Sequence, residues 1–211
     1  MIHVELNLPA PSSSIIEQID NWANTVQFNA DNKRWLEEFH NGAITAPLHL
    51  LGVKDKNITK QMILEFQKFF PKHRITSTVC IMKNIDNTPS CMPPHIDRGR
   101  ALAINYFVDL GGDQVETIFY NFKKSVKDSE SSNIQFDQTG GVNTKTVFTR
   151  GWHAFAADQC HAVDNIITTR IFTTIRILTS DAETEVNYNL DCLIKDYPEL
   201  IKENSLNKNL F

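Results

Sequence analysis

Two residue types that bind metals, a histidine and an aspartate, stand two positions apart in the stretch PPHIDRGRAL, residues 93–102. Side chains at positions i and i+2 of an extended segment point to the same face, so His95 and Asp97 can reach one ion. The triplet H-x-D is frequent by chance, and it is also found in ordinary polar turns. A metal site therefore requires a further ligand from elsewhere in the chain.

A candidate for that ligand lies in CHAVDNIITTRIFTTIRIL, residues 160–178. His161 follows an apolar run of strand character, and Arg170 opens the next such run nine positions later. Two histidines and one aspartate make the facial triad of a mononuclear non-haem iron centre, which leaves three coordination positions open on one side. A nearby arginine suits the far carboxylate of a dicarboxylic co-substrate that chelates the metal through its other end.

In this order, the residues resemble the pattern of the Fe(II)/2-oxoglutarate-dependent oxygenases: H-x-D, a distal His, then Arg or Lys on the last core strand. The segment HAVDNIITTR is similar in spacing to the prolyl-hydroxylase-like branch. The resemblance covers residues 75–180. It implies a double-stranded β-helix (jelly roll) and iron bound by His95, Asp97 and His161.

The same resemblance implies a dioxygenase that uses Fe(II), O2 and 2-oxoglutarate as co-substrate and releases succinate and CO2. Its substrate would be an amino acid, a peptide or another small molecule. Halogenating relatives lack the carboxylate ligand, so the presence of Asp97 favours hydroxylation or a related oxidation. The stretches 84–94 and 123–141 are candidate lids over the site.

Two arginines compete for the co-substrate carboxylate. Arg170 matches the spacing of the prolyl-hydroxylase-like branch and is preferred. Arg176 is the alternative, since other branches place this arginine further from the distal histidine. The two lie on the same face of the predicted strand but roughly 20 Å apart by strand rise, so they cannot both bind one carboxylate.

Three further residues are candidates for binding the co-substrate or the substrate. Asn105 shares a strand face with small residues that leave room for a ligand, and the resemblance puts a polar residue near the keto acid at this point. The alternative is a structural asparagine that hydrogen-bonds to the backbone. Arg98 and Arg100 follow the H-x-D triplet and could bind an acidic group of the substrate, or simply be solvated. Relatives often carry a tyrosine for 2-oxoglutarate near positions 82–84, where this chain has Met82 and Asn84.

The secondary structure predicted around these residues changes along the chain from helix to strand. Residues 1–74 read as helical and irregular, with apolar residues at helical spacing behind the serines at 12–14 and again from Asn57 to Pro71. From residue 75 onward, short β-rich runs alternate with Asp, Asn, Pro and Gly clusters, a pattern typical of a sandwich, barrel or jelly roll. The prediction is an α+β chain, mainly β with flanking helices: one domain over 1–211, with a helical buttress (1–74), a jelly-roll catalytic core (75–180) and a C-terminal extension (181–211).

Composition excludes several other classes of function. A chain of 211 residues with 41% hydrophobic residues and a formal charge of −4 shows neither the basic excess of a nucleic-acid-binding protein nor a membrane-spanning run. No signal peptide is evident, so a cytoplasmic location is expected. The four cysteines form no C-x-x-C pair and read as free thiols. The sequence sets no oligomeric state.

Three other interpretations stay open at this stage. A cupin-type metalloenzyme shares the jelly roll, but it usually has more closely spaced histidines and needs no trailing arginine. A catalytically inactive 2-oxoglutarate-binding module would carry much the same sequence. A structural jelly roll could hold these residues by accident. Metal-dependent binding of 2-oxoglutarate distinguishes among them.

Overall fold

The computed structural model of the chain describes residues 1–25, 48–53, 56–84, 88–97, 100–121, 141–178 and 188–207. Residues 48–53 and Pro93 are described by their backbone alone. Ten strands lie in these ranges: β1 (His3–Glu5), β2 (Leu48–Val53), β3 (Arg74–Asn84), β4 (Ser90–His95), β5 (Leu102–Leu110), β6 (Glu116–Tyr120), β7 (Val142–Val147), β8 (Gly151–Ala156), β9 (His161–Ile166) and β10 (Arg170–Leu178).

Helices lie before and after the strand-rich region. They are α1 (Ser13–Thr25), α2 (Lys56–Phe66), α3 (Leu190–Asp196) and α4 (Glu203–Asn207), with 3-10 turns at Gln67–Phe69 and Pro198–Leu200. The Ser12 carbonyl accepts the backbone N–H of Ile16, so α1 begins at the predicted serine cluster. In α2, Met62 and Phe66 are buried one turn apart, as the apolar spacing predicts.

The strands form two antiparallel sheets. The larger sheet has the order β1-β8-β5-β10-β3-β2, and the smaller has the order β4-β9-β6-β7. Along the chain, β3 to β10 alternate between the two sheets except at β6 and β7, which are neighbours in the smaller one. This is the topology of a double-stranded β-helix. The predicted fold class, mainly β with flanking helices around a jelly-roll core, is confirmed.

Two apolar clusters lie on opposite faces of the larger sheet because side chains alternate along each strand. On β5, Leu102 and Ile104 face the helices, where they join a core with residues of α1, α2 and α3. Ala103 and Phe107 face the smaller sheet, and there they join what we call the inter-sheet core. Its buried apolar members are Met82, Met92, Ala103, Phe107, Val115, Phe119, Phe148, Phe155, Ala157, Val163, Ile166 and Phe172.

The first 74 residues contain two strands that the sequence analysis did not predict. β1 pairs with β8 and β2 pairs with β3, so both strands extend the larger sheet beyond the jelly roll. β1 has three residues, too few to show an alternating pattern. β1 and β2 are strands because they pair with β8 and β3, which are distant in sequence. A local sequence pattern does not reveal such pairing.

Most described residues of the candidate lid 84–94 lie in strands instead of a loop, with Asn84 at the end of β3. Ser90–His95 forms β4, which pairs with β9 at the edge of the smaller sheet. The two prolines within β4 masked its strand character, since proline is tolerated on edge strands and disfavoured elsewhere in sheets. The other candidate lid, 123–141, lies outside the described residues except for Gly141. Among the described helices, none is both long and apolar enough to cross a membrane.

A buried histidine makes the stability of this fold depend on pH. His153 of β8 lies within hydrogen-bonding distance of His3 (Nδ1 to Nε2, 2.9 Å) and of the Thr149 carbonyl oxygen (from Nε2, 2.9 Å). A neutral ring that donates from Nε2 and accepts at Nδ1 satisfies both contacts. Burial lowers the pKa of His153 from 6.5 to about 4, against the smaller opposing effect of the Thr149 hydrogen bond.

Because the unfolded chain binds this proton first as the pH falls, the free energy of unfolding should decrease between about pH 6.5 and pH 4. We expect His153→Gln to lose about 2 kcal/mol less than the wild type between pH 7 and pH 4.5. Urea unfolding of both proteins at the two pH values measures this difference. Equal losses would contradict a neutral buried His153.

Candidate metal centre

Pairing between β4 and β9 brings the two histidines together. His95 ends β4 and His161 begins β9, and the two are direct partners across the antiparallel pair. Both are buried, and their ring centroids are 4.4 Å apart. Asp97 lies just beyond β4, and one potential ligand atom from each of the three residues lies within 4.8 Å of the others. The structure therefore brings together the three ligands predicted from sequence.

Hydrogen bonding sets which nitrogen of His161 is available. Its Nδ1 lies 2.9 Å from the carbonyl oxygen of Gln159, a distance at which Nδ1–H donates to that oxygen. The neutral ring then presents Nε2 as its metal-binding atom. The Gln159 carbonyl thus orients the imidazole, a contact that the sequence analysis did not predict.

Asp97 is held through both its backbone and its carboxylate. Its N–H donates to the Ala157 carbonyl oxygen at 3.0 Å. Its Oδ1 lies 3.7 Å from His95 Nε2, while Oδ2 accepts two hydrogen bonds from Arg100. Burial raises the pKa of Asp97, but Arg100 and the two histidines lower it more, so the pKa lies below its ordinary value. The carboxylate is therefore ionised at neutral pH, as a metal ligand must be.

Arg170 is buried in the inter-sheet core. Its guanidinium carbon lies 4.5 Å from the ring centroid of Phe107, and its Nη1 donates to the Leu110 carbonyl oxygen at 3.2 Å. Burial lowers the pKa of Arg170 to about 9, with the charge of Asp109 acting in the opposite direction. Among the described residues, no carboxylate forms an ion pair with Arg170, and its Nε–H has no hydrogen-bond partner.

Two neutral side chains in the same interior also carry unsatisfied polar atoms. Asn105 is buried on the face of β5 that also bears Phe107, as predicted, and its Oδ1 accepts no hydrogen bond from the described residues. Thr117 Oγ1 on β6 is in the same state. Buried polar groups are normally satisfied, so these atoms and Arg170 Nε are candidate contacts for a polar ligand. Thr117 was missed, since nothing in its local sequence distinguishes it.

The remaining candidates lie in different surroundings. Arg176 is half-buried towards the other end of β10, where it pairs with Thr76 of β3. Arg100 contacts Asp97 rather than lying free on a loop. Asn84 donates to the carbonyl oxygens of Thr88 and Ile166, which gives it a structural role between strands.

Met82 belongs to the inter-sheet core and lies opposite Arg170 in the register of β3 and β10. Arg98, the other proposed substrate-binding arginine, lies outside the described residues.

Solved structures similar to this chain include three named oxygenases or hydroxylases. A Trichoplax adhaerens prolyl hydroxylase, in complex with a hypoxia inducible factor oxygen degradation domain peptide fragment, is 12% identical, with 88% of this chain and 84% of that chain covered at a TM-score of 0.49. A Pseudomonas putida prolyl-4-hydroxylase is 9% identical, with 85% and 92% covered at a TM-score of 0.43. A 2OG-Fe(II) oxygenase family oxidoreductase from Burkholderia pseudomallei is 9% identical, with 80% and 81% covered at a TM-score of 0.42.

The sequence matches no family model, and no curated protein matches it either. One of the similar solved structures, the Burkholderia pseudomallei protein, is named as a member of the 2OG-Fe(II) oxygenase family.

Gly111 allows β10 to bring Arg170 close to the end of β5. Its φ is +81°, and a Cβ at this position would lie 2.9 Å from Arg170 Cβ. Its carbonyl oxygen also accepts the N–H groups of Ile167 and Thr168, which precede β10. Gly141 is a matched control, since its φ is +66° and a Cβ there would meet nothing within 4 Å.

We expect Gly141→Ala to destabilise the protein by about 1 kcal/mol through its left-handed backbone alone. Gly111→Ala should lower the free energy of unfolding by about 1–3 kcal/mol beyond that, because its methyl group collides with Arg170. Chemical denaturation of both variants measures the difference. Equal destabilisation would show that Arg170 can move away from Gly111 without loss.

Proposed function

We propose that the chain is an Fe(II)- and 2-oxoglutarate-dependent oxygenase that hydroxylates an amino-acid, peptidyl or other small substrate. His95, Asp97 and His161 are the proposed metal ligands, and Arg170 is the proposed partner of the distal co-substrate carboxylate. Residues 75–180 form the proposed catalytic core.

One observation carries this proposal: a buried arginine without a carboxylate partner among the described residues shares an interior with a three-ligand cluster. Burial of an uncompensated cation is unfavourable, and a bound anion removes that penalty. His161 reaches this interior through ring contacts with Phe119 and Phe155, and Arg170 reaches it through Phe107. An anion bound at Arg170 would therefore lie in the same compartment as the metal ligands.

The donor set fits iron. Two imidazoles and one carboxylate are the ligands of the facial triad, and three protein ligands leave three positions for exogenous groups. A 2-oxoglutarate would use two of those positions through its keto and carboxylate oxygens. Its distal carboxylate suits the Arg170 fork, and the amide of Asn105 offers a further polar contact.

Bound iron would supply the coupling of oxidative decarboxylation of 2-oxoglutarate by O2 to hydroxylation of the substrate. The residues of this chain would orient the reactants and limit access of water. Arg170 positions the co-substrate from inside the barrel, and the aromatic rings around it keep that end of the site dry. The Gln159 carbonyl and Arg100 hold two of the metal ligands in position.

Substitution of the ligands tests the metal centre directly. Under anaerobic conditions, the metal-free protein titrated with Fe(II) and then 2-oxoglutarate should develop a weak visible charge-transfer band that requires both additions. Asp97→Ala and His161→Ala should abolish the band, because each removes one of only three protein ligands. A wild-type chain that shows neither this band nor metal-dependent binding of 2-oxoglutarate by calorimetry would overturn the proposal.

The two arginines of β10 provide a matched test of the co-substrate site. With Mn(II) as a redox-stable metal, Arg170→Met should weaken 2-oxoglutarate binding by at least about 30-fold, the effect of removing one partner of a buried charged pair. Arg176→Met should change it by less than about threefold, because Arg176 lies towards the other end of the strand.

The thermal stability of the ligand-free variants separates binding from folding. Replacing a buried, unpaired cation with an apolar side chain is neutral or stabilising, so the melting temperature of Arg170→Met should not fall. A loss of 2-oxoglutarate binding in Arg176→Met, with Arg170→Met unaffected, would assign the co-substrate to the alternative arginine.

A further inference from the structure

Arg100 contacts the proposed metal ligand Asp97 in an unusual way, with two of its donors on one oxygen. Its Nε–H and Nη2–H both donate to Asp97 Oδ2, at 2.9 and 2.6 Å. The other oxygen, Oδ1, is the one that lies towards His95. A side-by-side pairing would have engaged both oxygens. Here Oδ2 of Asp97 contacts Arg100, and Oδ1 faces the histidine side of the three-residue cluster.

The backbone alone cannot set this orientation. The N–H of Asp97 donates to the Ala157 carbonyl oxygen, and the N–H of Ala157 donates to the Ala101 carbonyl oxygen, so the loop is fastened at both ends. These contacts fix the position of the Asp97 backbone. They leave rotation of the carboxyl group free, and for aspartate that torsion is broad. The guanidinium of Arg100 is therefore the group that fixes the carboxylate plane so that a single oxygen faces the histidines.

Arg100 is itself anchored to the last strand of the larger sheet. Its Nη1–H donates to Thr174 Oγ1 of β10 at 2.9 Å. Thr174 lies on the same strand face as Arg170 and pairs with Asn105 of β5. Asp97 is thus connected, through one side chain, to the strand that carries the proposed co-substrate arginine.

We propose that Arg100 is a positioning residue that keeps Asp97 a one-oxygen metal ligand and so preserves the coordination positions needed by 2-oxoglutarate. The inference rests on the proposed function. If both carboxylate oxygens bound the metal, the second would occupy one of the three open positions and compete with the chelating co-substrate. This role differs from binding an acidic group of the substrate, the role expected for Arg100 from sequence.

Binding measurements without any substrate distinguish these roles. We would measure Mn(II) affinity, then 2-oxoglutarate affinity at saturating Mn(II), by calorimetry for the wild type, Arg100→Met and Arg100→Lys. Arg74→Met removes an exposed charge at the start of β3 and serves as the control. The same proteins would be titrated anaerobically with Fe(II) and 2-oxoglutarate to record the charge-transfer band.

Arg100→Met should weaken 2-oxoglutarate binding about 10-fold or more and reduce the band, since loss of a group that orients a metal ligand has effects of this size. Arg100→Lys should recover part of both, because an ammonium retains a charged donor. Thr174→Val should act in the same direction with a smaller effect, and Thr174→Ser, which keeps the hydroxyl, should resemble the wild type. Arg74→Met should be unchanged.

Two results would overturn the inference while leaving the proposed function intact. One is wild-type binding of Mn(II) and 2-oxoglutarate by Arg100→Met, which would leave Arg100 to the substrate or the solvent. The other is a loss of both affinities together with a lower melting temperature in Arg100→Met and Arg100→Lys alike, which would show a general structural role. A wild-type chain that binds no divalent metal would instead overturn the proposed function, and this inference with it.

Discussion

The antiparallel pairing of β4 with β9 is the constraint on which the site depends. It sets His95 directly opposite His161 at the end of the smaller sheet, with their rings in contact. Neither histidine can be moved by one residue in register without sending its side chain to the opposite face. Because Asp97 lies only two residues after His95, the same register also brings its carboxylate to the histidines. The inter-sheet core holds the two sheets together around this pair of strands.

The inter-sheet core gives the site its chemical character. Its aromatic side chains make a largely apolar interior around the buried guanidinium of Arg170. Such a cation is unfavourable in isolation, and natural structures tolerate local cost where a ligand later offsets it. The left-handed Gly111 and the close approach of β5 to β10 maintain this arrangement. The proposed anion site at Arg170 would therefore cost stability in the ligand-free protein.

Arg100 ties the two halves of the site to each other. Through Asp97 it contacts the ligand cluster, and through Thr174 it contacts the strand that bears Arg170. The proposed metal ligands and the proposed co-substrate arginine belong to different sheets, and a chelate tolerates only small errors in their relative position. Asp97 and Arg100, which lie three residues apart after β4, provide the proposed ligand and the group proposed to orient it.

The sequence by itself predicted the fold class, and it named His95, Asp97 and His161 as candidate metal ligands that the structure brings together. H-x-D, a distal histidine and a following arginine are local patterns, and the alternation of short β runs is a local pattern too. Asn105 could be placed facing the interior by strand parity alone. Only the tertiary structure decided what depends on contacts between distant residues. Those contacts made β1 and β2 strands, turned a proline-containing stretch into β4, and buried the Thr117 hydroxyl with no hydrogen-bond partner among the described residues. They also placed Arg100 on Asp97, since no sequence pattern specifies which neighbour a loop arginine will bind.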